Sequence, residues 1–544
     1  MMDALAHHTL AFRTALFIFI IGLVLLAIGA AASLWLVGRS VATAGQDPAR
    51  RIFRNSAGPL LIQLAVRGID LSFVVFLYRL IAKSDVGDYN LAGLLVTLIL
   101  ATIGDWGLTV WFTREIARDP AALRRLFGTT LLLRWALALL MVPLAALVIG
   151  AYGLLHSAAL IPQALPTQTV ILIAILLPSL LPSGFASAVS AVYLAHEQPT
   201  TPALVNLLNN CLSTLLQIAL ILLGFRIVGV AWAALIATLI NAAVFAWLLI
   251  RRWGWPGWSW DSKTARSMLR TAFPLMLNGL LVAVFFRFDT FIIQGAARDG
   301  ERAVADYSTA YKFASLVLVL PPIVINALFP MFARQALNDR SALLRGYRLT
   351  VRLLLLLVIP LAAGLSVWAP EAIRLLFGAE YVAAGGPALR LLIWFAPISY
   401  VNGVAQYVLI ALDRQATITW AFLVTAIFNL AVNLLTVPIW GINAAAVVTV
   451  LSEGVLYLPF RLVLKRELGA APFLAVAWRP LLAALGGAAA MVLLRAWPLL
   501  AIAAGVIVYA ATLWLLGTFD AEDRRLLTRL RGKPALETVA PKAG

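Results

Sequence analysis

Charge and cysteine are what this 544-residue chain has least of. Charged residues make up 12% of it, against roughly 25% in a soluble globular chain. Its one cysteine, Cys211, lies inside an apolar run, which excludes a disulfide framework. Four histidines, His7, His8, His156 and His196, have no metal-site spacing, and no metal motif is present. No Walker A sequence occurs, so direct driving by ATP is not expected of this chain. What replaces these features is apolar sequence. Hydrophobic residues make up 62% of the chain and its mean hydropathy is +0.95. Such a surplus cannot be hidden in a soluble core, so most of the chain faces lipid. Outer-membrane β-barrels are excluded as well, because their short alternating strands give no apolar runs of this length.

A spanning helix needs about 20 apolar residues. The sequence predicts an early span at 14–37 and then fourteen more. Their cores are 56–81, 87–112, 128–152, 168–194, 203–224, 228–250, 269–296, 304–332, 348–369, 386–411, 416–438, 441–463, 474–495 and 498–518. The early span is expected to be an extra helix rather than an export segment, being long for a signal peptide and lacking a clean cleavage site.

The formal net charge is +18. The basic residues fall between the apolar runs, so they report topology rather than nucleic-acid binding. Alternate connections hold 28 of the 42 Lys and Arg residues, in groups such as Arg50, Arg51 and Arg54, then Arg114, Arg118, Arg124 and Arg125, then Arg251, Arg252 and Lys263. The connections between them hold 9, among them Arg79, Lys83, Arg226 and Arg374. This asymmetry puts both ends of the fourteen-span body in the cytoplasm. Every loop is short, the longest external ones lying near 153–167 and 370–385. A membrane glycosyltransferase, polymerase or ligase would need acid, base or Arg groups on a sizeable external loop, so the chain reads as no enzyme.

The body repeats itself at a shift of about 215 residues. Asp88-Tyr89 matches Asp306-Tyr307, Pro59 matches Pro274, Gly229 to Ala234 matches Gly441 to Ala446, and Ala195-His-Glu matches Ala411-Leu-Asp. Six spans separate the copies, and an even number makes the repeats parallel, related by an axis along the membrane normal. The expected organisation is an extra helix and basic segment (1–55), an N-lobe of six helices (56–252), a C-lobe of six (268–466), two further helices (470–518) and a cytoplasmic tail (519–544).

Ionisable side chains inside a membrane are costly and mark function or pairing. The first body span carries Gln63, Arg67 and Asp70 on one face, read as a cavity wall rather than a local Arg67–Asp70 pair. In the seventh span Arg287 and Asp289 point about 200° apart. Lys312, on the next span, lies at a depth that lets it pair with Asp289. Arg287 is then the anion-binding candidate, because its fork suits phosphate oxygens, with Lys312 next. Asp105, in Gly104-Asp-Trp-Gly, reads as a helix-break turn or a coupling-ion site, the structural role being favoured. Arg134 and Arg352 are expected to snorkel to the cytoplasmic face. Glu453 reads as a proton site or, preferably, a partner of neighbouring helices. Two stripes, Asn206-Asn210-Ser213-Gln217 and Asn429-Asn433-Thr436, occupy matching positions of the repeat; interhelical hydrogen bonding explains them as well as a cavity does, and packing is favoured.

Several runs resemble the Wzx-type polysaccharide flippases. They are Ala57 to Arg118 with Gly104-Asp-Trp-Gly-Leu and Thr113-Arg-Glu-Ile-Ala-Arg, Phe288-Asp-Thr-Phe-Ile-Ile, Tyr307 to Lys312, Phe329-Pro-Met-Phe-Ala-Arg, and Asn429 to Ala446 followed by Ser452-Glu. The resemblance covers roughly 56–466 and implies the multidrug/oligosaccharidyl-lipid/polysaccharide exporter fold. That is an all-α polytopic membrane protein with two six-helix lobes and an added C-terminal pair; the span at 14–37 departs from it. The resemblance further implies a multi-pass protein of a bacterial cytoplasmic membrane that moves an undecaprenyl-pyrophosphate-linked oligosaccharide from inner to outer leaflet by alternating access, without a cofactor. Substrate-binding residues would be Arg67, Arg287, Lys312, Asp70, Asp289 and Gln63, and coupling-ion candidates Asp70, Asp105 and Glu453. Implied partners are the lipid-linked oligosaccharide, membrane lipids, polysaccharide polymerase components and a coupling proton or sodium, but no nucleic acid. The alternatives are a multidrug/cation antiporter of the same superfamily and a lipid II flippase. The resemblance implies a cavity lined by spans one, two, seven and eight; three basic and three acidic groups on them leave charge undecided between these readings, and the added pair of spans favours the flippase.

Overall fold

The computed structural model describes residues 48–469 and 473–518. The span expected at 14–37 and the tail at 519–544 lie outside the described residues. All regular structure among the described residues is helical. Helix α1 (Pro48–Leu80) covers the first body span. Helix α2 (Lys83–Asp105) includes a π-wound stretch, Leu94–Leu100, and stops at Trp106 and Gly107, with φ of +52° and +72°. The chain restarts as α3 (Leu108–Arg118). Gly107 is required twice over: by its φ, and because a Cβ there would stand 2.7 Å from Leu275 Cβ and 3.0 Å from the Ala272 carbonyl.

Next come α4 (Leu123–Ser157), α5 (Thr167–Leu176), α6 (Leu180–Ala195), α7 (Thr200–Leu222) and α8 (Arg226–Trp253). A 3-10 turn at Leu177–Ser179, holding Pro178, separates α5 from α6. A tryptophan-rich connection leads to α9 (Ser262–Arg287). There Trp255 stacks on Phe185 and Thr129 donates to the Ser259 carbonyl, so the connection is pinned to α4 and α6. Asp261 caps α9 and, further on, Asp339 caps α13. The Thr264 hydroxyl and the Lys263 amide hold the exposed Asp261 carboxyl below the usual carboxylate range.

The chain continues through α10 (Asp289–Ala296), α11 (Gly300–Val317), α12 (Leu320–Asn338), α13 (Arg340–Val367), α14 (Ala369–Leu376), α15 (Val382–Leu392) and α16 (Phe395–Ala411). It ends with α17 (Gln415–Leu468), α18 (Phe473–Leu493) and α19 (Pro498–Leu515). The 54-residue α17 is broken at Gly441 (φ +60°, ψ −144°), a conformation open to glycine, at the boundary expected between two spans.

Among the described residues, ten helical stretches are long and apolar enough to cross a bilayer, and α15 with α16, bent by 40°, makes an eleventh. The expected fourteen exceed this partly because the two halves of α17 form one stretch. Helix α11 also falls short by itself, with Glu301, Arg302, Asp306 and Lys312 in 18 residues. The chain is therefore a multi-pass membrane protein.

The helices form two compact units. The first runs to Leu316 and includes Pro370–Leu392 and Ala416–Leu456; the second comprises Val317–Ala369, Ile393–Gln415 and the chain from Tyr457. In the second, α18 and α19 meet glycine to glycine: a Cβ on Gly487 would stand 2.8 Å from the Gly505 carbonyl. Such small-residue seams let membrane helices approach closely. Tyr509 donates to the Leu356 carbonyl at 2.8 Å and so ties α19 to α13. In the first unit, Ile62 and Ile69 of α1 pack on Leu207 of α7, with Cys211 beside them. This seam sets the neighbouring polar faces of α1 and α7 side by side.

Candidate functional site: a cationic cavity in the first unit

Those two faces open on a cavity of about 340 Å³. Helix α1 supplies Arg67 and Asp70, α9 supplies Arg287 and α11 supplies Lys312. Helix α2 adds Tyr89 and Asn90, and α7 adds Asn210, Ser213, Thr214 and Gln217. Four of the six residues expected to bind substrate thus meet at one place. The fifth, Gln63, lies on α1, but its side chain is outside the described residues. The sixth, Asp289, is not in the lining.

The charges here are not balanced within the protein. Arg67 and Lys312 have no ion-pair partner among the described residues. The alternative to the cavity wall, a local pair of Arg67 with Asp70, does not form. Asp70 Oδ1 instead accepts from Asn210 Nδ2 at 2.7 Å. Arg287 lies over the Tyr311 ring, 4.0 Å from its centroid, a cation–π contact that leaves the guanidinium edge for a ligand. The lining therefore carries three cations against one carboxylate. Counting whole helices gave three of each sign; two of the acids prove to point elsewhere.

Asp289 is one of them. It is 1% exposed and accepts from the Tyr307 hydroxyl, the Thr290 amide at 2.8 Å and the Thr449 hydroxyl at 3.4 Å. Its pairing with Lys312, expected from depth alone, is thus replaced by hydroxyl and amide donors from α11, α10 and α17. Asp105 is the other. Its Oδ1 accepts from Thr109 at 2.6 Å and from Arg134 Nη1 at 2.7 Å. Arg134 is 2% exposed, so it does not snorkel as expected; it is the buried counter-ion that lets Asp105 close the broken end of α2. This pair borders a separate polar cavity of about 270 Å³, shared by α2, α4, α6 and α8. Glu453 is fully buried in α17 and lines neither cavity. Arg352 is half-buried.

The two amide stripes part company. On α17, Asn433 donates to Asn429 and Asn429 to Ser452, both at 3.0 Å, and all three are buried. That stripe is packing, as read from the sequence. On α7, Asn210, Ser213 and Gln217 line the cavity while Asn206 does not, and Asn210 also bonds across to Asp70 of α1, so that stripe both packs and faces the cavity. No signal within α7 distinguishes it from its repeat copy; only its neighbour, α1, does.

Beyond the cavity, where α1 passes into α2, the ends of several helices are fastened together. Arg79 donates to the Leu376 carbonyl at 3.0 Å and to that of Leu375, the last turn of α14. Lys83 pairs with Asp306 at 2.7 Å and donates to the Glu380 carbonyl at 3.1 Å. Gly87 lies directly on the Glu301 backbone, where no Cβ would fit.

The described residues thus form a helical membrane chain with an internal polar cavity. The fold matches solved transporters: a lipid II flippase, MurJ, in an inward closed conformation (TM-score 0.67, 14% identity, 84% of this chain and 98% of that one), and a multidrug resistance transporter of the MATE family and MOP superfamily, inward-facing (TM-score 0.62, 16% identity, 75% and 98%). Among characterised sequences, the chain is 25% identical over 370 residues to the succinoglycan biosynthesis transport protein ExoT of Rhizobium meliloti (strain 1021), covering 66% of this chain and 70% of that protein. It is 26% identical over 153 residues to a probable low-salt glycan biosynthesis flippase, Agl15, of Haloferax volcanii (28% and 32%). The model of the polysaccharide biosynthesis protein family matches residues 52–335, and the chain belongs to that family. The resemblance drawn from sequence to polysaccharide flippases is borne out.

Proposed function

We propose that this chain carries an undecaprenyl-pyrophosphate-linked oligosaccharide from the inner to the outer leaflet of a bacterial cytoplasmic membrane, for cell-surface polysaccharide synthesis. The observation that carries the reading is the cavity's charge: Arg67, Arg287 and Lys312 face a single carboxylate, itself held by Asn210. Uncompensated cations in a low-dielectric wall attract an anion of more than one charge. A pyrophosphate meets that demand, and Arg in particular binds its oxygens in pairs. An antiporter of organic cations would need the opposite balance. Alternating access between two six-helix lobes would expose the cavity to each leaflet in turn. Asp70 is the coupling-ion candidate within reach of the cargo; Asp105 already has Arg134 as its counter-ion.

The test is a deletion strain of the source organism, with lipid-linked oligosaccharide located by an impermeant sugar-oxidising label on intact spheroplasts. Complete glycan should accumulate on the inner leaflet. The wild-type gene should release it, and Arg287→Ala should not, although the variant inserts normally. Unchanged outer-leaflet glycan in the deletion strain would defeat the proposal, and trapped lipid II would reassign the cargo.

A further inference from the structure

We infer that the cavity is divided, and that α7 forms a neutral subsite for the sugar joined to the pyrophosphate. The inference rests on the flippase reading and adds to it a wall that selects the glycan. The cations come from α1, α9 and α11, whereas α7 carries no charged residue along its whole length. What α7 presents instead is Asn210, Ser213, Thr214 and Gln217, spaced so that they share one face.

Amide and hydroxyl groups are costly on a membrane helix unless they are bonded. On α17 the matching stripe is bonded along the helix pair, Asn433 to Asn429 and Asn429 to Ser452, with Asn433 Oδ1 left over, and it lines neither cavity. On α7 the stripe faces the cavity. Gln217 Nε2 reaches Ser213 Oγ at 3.2 Å, and Asn210 Nδ2 reaches Asp70 at 2.7 Å. Asn210 Oδ1 is buried and accepts no hydrogen bond. The Ser213 and Thr214 hydroxyl protons are likewise given no protein acceptor among the described hydrogen bonds. A wall with donors and acceptors left over, and no charge, suits a ligand that is itself rich in both: the hydroxyl groups of a pyranose. Phe73 and Tyr89 also line the cavity and supply aromatic surface for the apolar face of such a ring.

The placement also fits. Asp70 links the two walls, standing on the cationic helix α1 while holding the first amide of α7. A pyrophosphate on Arg67, Arg287 and Lys312 would bring its attached sugar against α7. The cavity's size, about 340 Å³, is at the small end of ligand sites, roughly 300–1,000 Å³. That is room for a linkage region and one sugar.

The experiment compares two kinds of probe on the purified full chain in nanodiscs: farnesyl diphosphate alone, and farnesyl diphosphate carrying a single glucose, galactose or N-acetylglucosamine. At least one sugar should tighten binding to the wild type by about ten-fold, the worth of one well-made hydrogen bond. Gln217→Leu and Ser213→Ala should each remove most of that gain while leaving farnesyl diphosphate binding unchanged. Arg287→Gln should weaken every probe. Thermal unfolding of each variant checks that it has folded. No gain from any sugar in the wild type, or equal loss of bare and glycosylated probes in the α7 variants, would overturn the sugar subsite and leave the pyrophosphate reading standing. Failure of farnesyl diphosphate itself to bind the wild type would overturn both.

Discussion

The first unit contains two polar cavities that treat charge in opposite ways. Around Asp105, the carboxylate and Arg134 neutralise each other at 2.7 Å, and Thr109 takes up a further bond. Around Arg67, Arg287 and Lys312, the protein supplies one carboxylate and one aromatic ring for three cations. Both groups lie on membrane helices, where an unbalanced charge costs about 2.5–3.5 kcal/mol on insertion scales. A cost borne only for structure is relieved by pairing, as at Asp105. One left standing is consistent with a ligand that completes the site.

The comparison predicts different consequences for the same kind of substitution, the largest first. Asp105→Leu leaves Arg134 buried without its counter-ion, and breaking such pairs costs about 3–5 kcal/mol. Because Asp105 itself is 31% exposed, the lower end is expected. Thermal unfolding in detergent should show a severe drop, and the double variant Asp105→Leu with Arg134→Leu should recover much of it. Equal losses in the single and double variants would mean that the pair contributes little.

Next in size are Arg67→Gln and Lys312→Gln. Each removes a charge-assisted contact to ligand of about 1.5–3 kcal/mol, so farnesyl diphosphate binding should weaken roughly 10- to 100-fold. Their unfolding temperatures should stay close to the wild type or rise, since a repulsion is relieved. A fall in stability like that of Asp105→Leu would erase the distinction between the cavities.

A smaller effect tests the amide stripes. Asn429→Ala opens the chain of bonds through Asn433 and Ser452 and should cost about 1–2 kcal/mol of stability with transport largely intact. Asn210→Ala takes away the donor to Asp70 and should lower the unfolding temperature by a similar amount, but it should also slow export. The smallest expected change is Asp289→Asn. It keeps an acceptor for the Tyr307 hydroxyl and lies outside the cavity lining, so export should remain near wild type.

The positions of the helices were legible in the sequence because they follow from local composition. Apolar runs mark the spans, and the breaks at Trp106-Gly107, Pro178 and Gly441 fall where glycine and proline stand. The polar face of α1 was legible too, since Arg67 and Asp70 share a side of one helix. What could not be read was where a lone polar residue turns. Asp289 looks toward Tyr307 and Thr449, the latter 160 residues away in sequence, rather than toward Lys312. Arg134 is drawn inward by Asp105, 29 residues earlier, rather than outward to the headgroups. The two amide stripes have the same pattern and opposite surroundings. In each case the deciding neighbour is set by packing between helices, which spacing along one helix does not encode.

The fastening of α1 to α14 has a consequence for how this region can vary. Arg79 holds the carbonyls of Leu375 and Leu376, not their side chains, and places its charge at the C-terminal end of α14, where the helix dipole favours a cation. A carbonyl is present whatever residue stands there. Substitutions on the α14 side can therefore accumulate without loosening the fastening, and no exchange of side chains on that side can compensate for loss of the arginine. A genetic screen would accordingly find lesions at Arg79 and few second-site suppressors facing it. The Lys83–Asp306 pair, side chain to side chain, should by contrast yield reciprocal rescue.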